Sequence, residues 1–206
     1  MAAIENERLI IFSDAVIAIT ITLLVLELAL PESAHDLSDA ELWQALLGLA
    51  PRLGGYVVSF LVIAVFWIGH RQKFVRIVRS SGLLIWLNFG FLLGISWMPF
   101  ATDILVENGG RLATFLHAAL VAIISIFGAA MSWHAVHAKL MSDSHRGVSA
   151  WRQSWPSLST AVVFTLSIPV ALVSPMLAQC TWILLSPMRK WADRLTRASD
   201  PGEVRP

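Results

Sequence analysis

The sequence predicts an all-α integral membrane protein with six membrane-spanning helices and both termini in the cytoplasm. Three observations carry this reading. Of the 206 residues 56% are hydrophobic and 14% charged, with a mean hydropathy of +0.68, whereas a soluble domain is about 45–50% apolar and about 25% charged. Nine tryptophans suit membrane–water interfaces, where that residue concentrates. Basic and acidic clusters alternate along the chain, as they do in loops on opposite sides of a bilayer. The formal net charge of +1 says nothing about partners, and no nucleic-acid partner is expected.

A span requires about 20 predominantly apolar residues. The first is expected at about 9–30, ended by Pro31. The segment before it, MAAIENER, is short and acidic, and no small-residue cleavage site follows the apolar run, so this span is expected to be retained. The second is expected at about 49–69, ended by HRQK, the third at about 82–101 with Pro99 near its exit, and the fourth at about 112–134. The apolar stretch beyond Pro156 divides into two short spans at about 157–174 and 176–190, with Ser174-Pro175 as the turn and Pro169 as a kink.

Charge placement favours six spans over five. Arg71, Lys73, Arg76 and Arg79 form one basic group, Lys139, Arg146 and Arg152 a second, and Arg189, Lys190, Arg194 and Arg197 a third. Between them lie Glu32, Asp36, Asp39 and Glu41, then Asp103 and Glu107. Six crossings put all three basic groups in the cytoplasm, and five would send the last one outside. Residues 1–192 are thus expected to form a single six-helix membrane domain, and 193–206 read as a disordered tail. The expected location is the cell inner (plasma) membrane. No internal repeat is visible. Gly90 and Gly94 form a GxxxG in the third span, a spacing that lets helices approach closely.

The first span carries the chemistry. Phe12, Val16, Ile19, Leu23, Leu26 and Leu30 are separated by 4, 3, 4, 3 and 4 residues, which is one continuous apolar seam on a helix. Ser13, Thr20 and Glu27 recur every seven residues as a polar stripe beside the seam, and Thr22 lies on its other flank. An aliphatic seam is ordinary in a membrane helix. Hydroxyls on both flanks and a carboxylate at Asp14 are not, because ionisable groups in spans usually face the bundle interior or a water-filled cavity. Asp14 also suits the positive end of a helix, so a helix-end carboxylate held by neighbouring donors stands as the plainer reading. Glu27 either concentrates cations at the outer mouth or sits at the interface.

RLIIFSDAVIAITITLLVLELALP resembles the first helix of the bacterial TMEM175 family, whose hallmark is Arg-x-x-x-Phe-Ser-Asp before an aliphatic helix. Arg8, Phe12, Ser13 and Asp14 match it in spacing and type. A Trp-x-x-His follows on the second span, here Trp67 and His70, and an Asn on the third, here Asn88. The resemblance implies a potassium-permeable cation channel, a homotetramer of six-helix chains in the lipid bilayer, with the four first helices lining a central pore. It implies aliphatic constrictions at Ile19, Leu23 and Leu26, with Thr22 as a possible pore hydroxyl. It places Arg8, Phe12, Ser13, Asp14, Trp67, His70 and Asn88 in a polar network at the cytoplasmic end, which would set the pitch and rotation of the first helix. No cofactor is implied beyond the permeant potassium ion.

The remaining candidates carry less. His134 and His137, with His145 nearby, have a spacing that can ligate metal, but helix-end histidines are the simpler reading. His70 titrates near neutrality when unperturbed, so it is either a pH sensor or a network donor. Cys180 reads as an apolar filler. The basic loop 71–79 is a topology signal, with anionic lipid contact as a secondary role. No TVGYG filter, P-loop, nucleophile elbow or zinc-protease motif occurs, so an enzyme is not expected. The alternatives to a channel are a secondary transporter or proton-permeation pathway, and a membrane scaffold.

Overall fold

A computed structural model describes residues 2–28, 37–145 and 147–183. Its helices are α1 (Ala2–Leu23), α2 (Asp39–Gly48), α3 (Ala50–Arg76), α4 (Gly82–Ser96), α5 (Met98–Asn108), α6 (Arg111–His137), α7 (Ala150–Val173) and α8 (Pro175–Ile183). Five segments among the described residues are long and apolar enough to cross a membrane: 6–26, 50–76, 82–108, 111–137 and 150–173. The second half of the expected sixth span, the last basic group and the tail 193–206 lie outside the described residues, as do Glu32, Asp36 and Arg146.

Three expected boundaries move. The second span does not stop at HRQK; α3 continues to Arg76. Arg and Lys are good helix formers, and near a helix C-terminus they complement its dipole. Lys73 and Arg76 are held there by Ser157 (2.8 Å) and Gln153 (2.9 Å). The third segment runs to 108 and not 101, with Pro99 in the first turn of α5 instead of at an exit. A first turn tolerates proline because its N–H groups have no intrahelical acceptor. The true stop is Gly109, in the left-handed region at φ +54°. The fifth segment begins at Ala150, seven residues before the expected start, and takes both Pro156 and Pro169 inside α7.

The turn at Ser174-Pro175 is present: Ser174 is extended (φ −146°, ψ 110°) and α8 begins at Pro175. The chain then folds back. Trp182 stacks on His117 of α6 and Phe164 of α7, with ring centroids 5.2 and 5.1 Å away, and its indole N–H donates to Ser167 at 3.0 Å.

The centre of the bundle is α6, buried along much of its length by Ala118, Val121, Ile124, Met131 and Ala135 among others. Helix α4 packs on it through the GxxxG. A Cβ at Gly90 would lie 2.4 Å from Phe127 Cε1, and one at Gly94 2.5 Å from Ile124 Cγ1. The motif therefore serves a contact within the chain, where α6 side chains occupy the space that a Cβ would take. Helix α1 packs against α3, α4 and α5.

At one end of the bundle the basic linkers meet. Ile77 and Met141 form an isolated antiparallel bridge, and the Arg79 guanidinium donates to the Lys139 carbonyl at 2.7 Å. At the other end Arg52 pairs with Glu107.

Candidate functional site

Helix α1 has two faces with opposite environments. Asn6, Leu9, Ser13, Ile17, Thr20 and Leu24 are buried against the rest of the chain. Their separations of 3, 4, 4, 3 and 4 residues follow one side of the helix. Ile19, Leu23 and Leu26 of the aliphatic seam are 58%, 44% and 68% exposed.

Ser13 and Thr20 do not flank an open surface. Both are turned into the bundle, where Ser13 donates to the Leu9 carbonyl (2.8 Å) and Thr20 to the Val16 carbonyl (2.9 Å). Hydroxyls in an apolar medium satisfy themselves on the carbonyl one turn back, so these two serve the fold of the single chain. Thr22 alone presents a hydroxyl on the exposed side, donating to the Ile19 carbonyl at 2.7 Å.

The seam also changes pitch. After Leu23 the chain tightens into a 3₁₀ turn, Leu24–Glu27. With three residues per turn, positions three apart eclipse, so Leu26 stacks over Leu23 instead of drifting round the helix. Leu30 and the Glu27 side chain lie outside the described residues.

Ser13 is also the end of a buried relay between three helices. His70 Nε2 on α3 lies 2.8 Å from Asn88 Oδ1 on α4, and Asn88 Nδ2 lies 2.9 Å from Ser13 Oγ. Ser13 spends its one proton on Leu9, so its oxygen must accept from the Asn88 amide; the Asn88 carbonyl then accepts from His70 Nε2–H. The imidazole is thereby fixed in one tautomer. Its Nδ1 has no hydrogen-bond partner among the described residues. The ring lies between Phe74 (centroids 4.5 Å apart) and Phe91 (5.4 Å). His70, Asn88 and Ser13 are 1%, 0% and 0% exposed.

Asp14 is bonded separately: the Trp67 indole N–H donates to its Oδ1 at 2.8 Å. Phe12 packs edge-on against Phe89, centroids 5.8 Å apart. Arg8 stands apart from this arrangement; it is exposed and makes no ion pair among the described residues.

The histidines at the helix ends have separate partners. His134 bonds Ser81 (2.8 Å), His137 Nδ1–H donates to the Trp133 carbonyl (2.9 Å), and His145 meets Ser142 and Ser144. Among the described residues no group of three metal-ligating side chains occurs.

Several buried polar residues escaped sequence reasoning, Asn6 and His117 among them. Asn6 lies seven residues before Ser13 on the same helical face, and that heptad spacing was available as a signal. His117 is an ionisable residue in the middle of an apolar run, which is itself a mark worth pursuing.

A bundle of apolar helices whose first member is hydrogen-bonded on one face and bare and aliphatic on the other defines a polytopic membrane protein. Residues 8–99 match the family described as endosomal/lysosomal potassium channel TMEM175. Over that stretch the chain is similar to the TMEM175 family, which is a family of ion channels and not of enzymes. It is 33% identical over 135 residues to a protein of Streptomyces collinus named a potassium channel, covering 63% of this chain and 64% of that one. It is 27% identical over 137 residues to the human endosomal/lysosomal proton channel TMEM175, covering 64% of this chain and 26% of that one. The chain spans 46–64% of the length of the bacterial relatives it matches. Its fold is similar to the crystal structure of a lysosomal potassium-selective channel TMEM175 homolog from Chamaesiphon minutus. The TM-score is 0.75 at 24% identity, covering 93% of this chain and 98% of that one.

Proposed function

We propose that the protein is a potassium-permeable, leak-type cation channel with moderate selectivity for potassium over sodium. Four copies, embedded in the lipid bilayer of the cell inner (plasma) membrane, surround one pore with their α1 helices. The observation that carries this is the division of α1 between a bonded inner face and a bare outer face bearing Ile19, Leu23 and Leu26. A single chain has one α1 and cannot enclose a path with it. Four bare faces brought together can. The six-span arrangement with cytoplasmic termini belongs to the same reading, as does a membrane domain of residues 1–192 followed by a tail.

The proposed constriction is a set of aliphatic rings at Ile19, Leu23 and Leu26. A tight apolar ring gates by dewetting. When open, it makes an ion shed part of its hydration shell with little in return. Potassium holds its water less tightly than sodium and loses less on passing. The Thr22 hydroxyl, whose proton goes to Ile19 while its oxygen keeps free lone pairs, returns part of the coordination. The relay of Ser13, Asn88 and His70, with Trp67 on Asp14, holds α1 in the rotation that aims this seam.

The test is a bi-ionic reversal potential with purified protein in a planar bilayer, potassium on one side and sodium on the other. Reversal toward the potassium equilibrium potential is expected, and Ile19→Asn, which supplies a polar substitute for water, lowers the potassium-to-sodium permeability ratio. An unchanged ratio would remove the constriction from this helix. The second reading, a proton-permeation pathway, is favoured by the likeness to the human relative, which is named a proton channel. A reversal potential that follows a pH gradient, with potassium equal on both sides, would select it.

A further inference from the structure

We propose that Asn6 is a positioning residue of α1, and that it rivets the N-terminal end of this helix to the paired basic linkers at the base of the bundle through the single peptide group between Ile77 and Val78. This rests on the reading of α1 as the pore-lining helix.

Asn6 is 7% exposed, and its Nδ2 donates to the Ile77 carbonyl at 2.9 Å. Ile77 caps the C-terminus of α3, where carbonyls have no intrahelical donor. The same peptide group is bonded at its other end: the Val78 N–H donates to the Leu140 carbonyl at 3.0 Å. Leu140 in turn donates its N–H to the Ala135 carbonyl of α6 at 2.9 Å. Two hydrogen bonds thus run from the α1 side chain through one peptide plane to the Leu140 carbonyl, and they polarise one another through that plane. The Leu140 N–H, on the neighbouring peptide group, ties the same residue to the end of α6. The Ser142 N–H, which donates to the Arg76 carbonyl at 2.9 Å, and the Arg79 contact to Lys139 brace it on either side.

The geometry explains why one anchor on α1 is insufficient. Ser13, bonded to Asn88, and Asp14, bonded to Trp67, both tie the helix at one level. Asn6 stands two turns below on the same face, about 10 Å along the axis at 1.5 Å per residue. Two attachments on one stripe define rotation and tilt together. A displacement of the linker residues 138–142 then changes the tilt of α1, and with it the spacing of Ile19, Leu23 and Leu26, without touching their chemistry. The Asn6 Oδ1, buried and without a hydrogen-bond partner among the described residues, makes no competing attachment there.

The test uses the full chain. Asn6→Asp keeps the shape of the side chain and replaces the donor with an acceptor facing a carbonyl, whereas Asn6→Gln keeps the donor. Arg79→Gln loosens the same linkers from their exposed side and guards against an Asn6 variant that fails to fold. Two readouts are taken: amide exchange at Val78 and Ser142 in folded protein, and open probability together with the bi-ionic reversal potential. Asn6→Asp is expected to speed exchange and shift open probability by about two- to tenfold, as loss of one net hydrogen bond predicts. The reversal potential stays at the wild-type value. Asn6→Gln is expected closer to wild type on both counts, and Arg79→Gln shows the Asn6→Asp pattern at smaller amplitude. Wild-type exchange and open probability in Asn6→Asp, or in Arg79→Gln alone if the former does not fold, overturn the proposal. Faster exchange in a protein that carries no current supports the rivet and refutes the channel reading.

Discussion

Replacing Asn88 with leucine tests how the first helix is held. The change deletes the two hydrogen bonds that link α3 to α4 and α4 to α1, at 2.8 and 2.9 Å, and keeps the branching and the number of side-chain heavy atoms. Each is worth about 0.5–1.5 kcal/mol net in general. Side-chain hydrogen bonds measured inside membrane bundles average about 0.6 kcal/mol, which favours the lower end. The larger penalty falls on His70. Its Nε2–H loses its acceptor in a site that is 1% exposed, while Nδ1 already lacks a partner among the described residues. An unsatisfied buried donor costs about 1–3 kcal/mol, so Asn88→Leu is expected to destabilise by about 2–4 kcal/mol in all. His70→Phe places an aromatic ring between Phe74 and Phe91 without any polar atom, and in the Asn88→Leu background it removes the stranded imidazole. The double variant should therefore be more stable than the sum of the singles by about 1–2 kcal/mol, a coupling that only interacting residues give. Unfolding of purified protein in mixed micelles, followed by tryptophan fluorescence across the four variants, measures the cycle. Additivity within about 0.5 kcal/mol would refute the relay as an energetic unit.

Gly90→Ala should destabilise by about 1–3 kcal/mol, since its Cβ must displace the Phe127 ring from 2.4 Å. Gly82→Ala, which meets nothing within 4 Å, is the matched control and should be close to neutral in the same unfolding assay. Ser38→Ala should fray the first turn of α2 and give several-fold faster amide exchange there, because Ser38 and Glu41 form a reciprocal capping box. The bonds from the Ser38 side chain and then its backbone hold the Glu41 carboxyl below its usual range. That support is therefore present above the unfolded pKa of Glu41 and lost as pH falls through the depressed folded value. Exchange at residues 39–42 measured against pH should show protection disappearing on the acid side in wild type and little such loss in Ser38→Ala.

Much of the architecture was legible in one dimension. In a bilayer a crossing segment must be apolar for about 20 residues and must satisfy its backbone internally. Composition alone therefore marked the helices, and loop charge grouped the two linkers, after α3 and after α6, that the structure brings together. The Arg79–Lys139 and Arg76–Gln153 contacts gather basic linkers at one end, as their clustering in the sequence implied. Boundaries were read less well where hydropathy and helix propensity part company. RQKFVR is polar but helical, and Pro156 is tolerated inside α7 because neighbouring helices hold the segment in place.

What a residue faces was a tertiary decision. Ser13 and Thr20 have the same spacing whether they line an opening or point into the chain, and only the packing of α1 on α3, α4 and α5 turned them inward. Gly90 and Gly94 could have served any neighbouring helix, and α6 took them because Phe127 and Ile124 fill the notches. Asn6 gained its meaning from a carbonyl 71 residues away. Hydropathy is a sum over consecutive residues and records whether a segment is dissolved in lipid. The direction of each side chain is set by contacts between helices distant in sequence, and no local sum contains them.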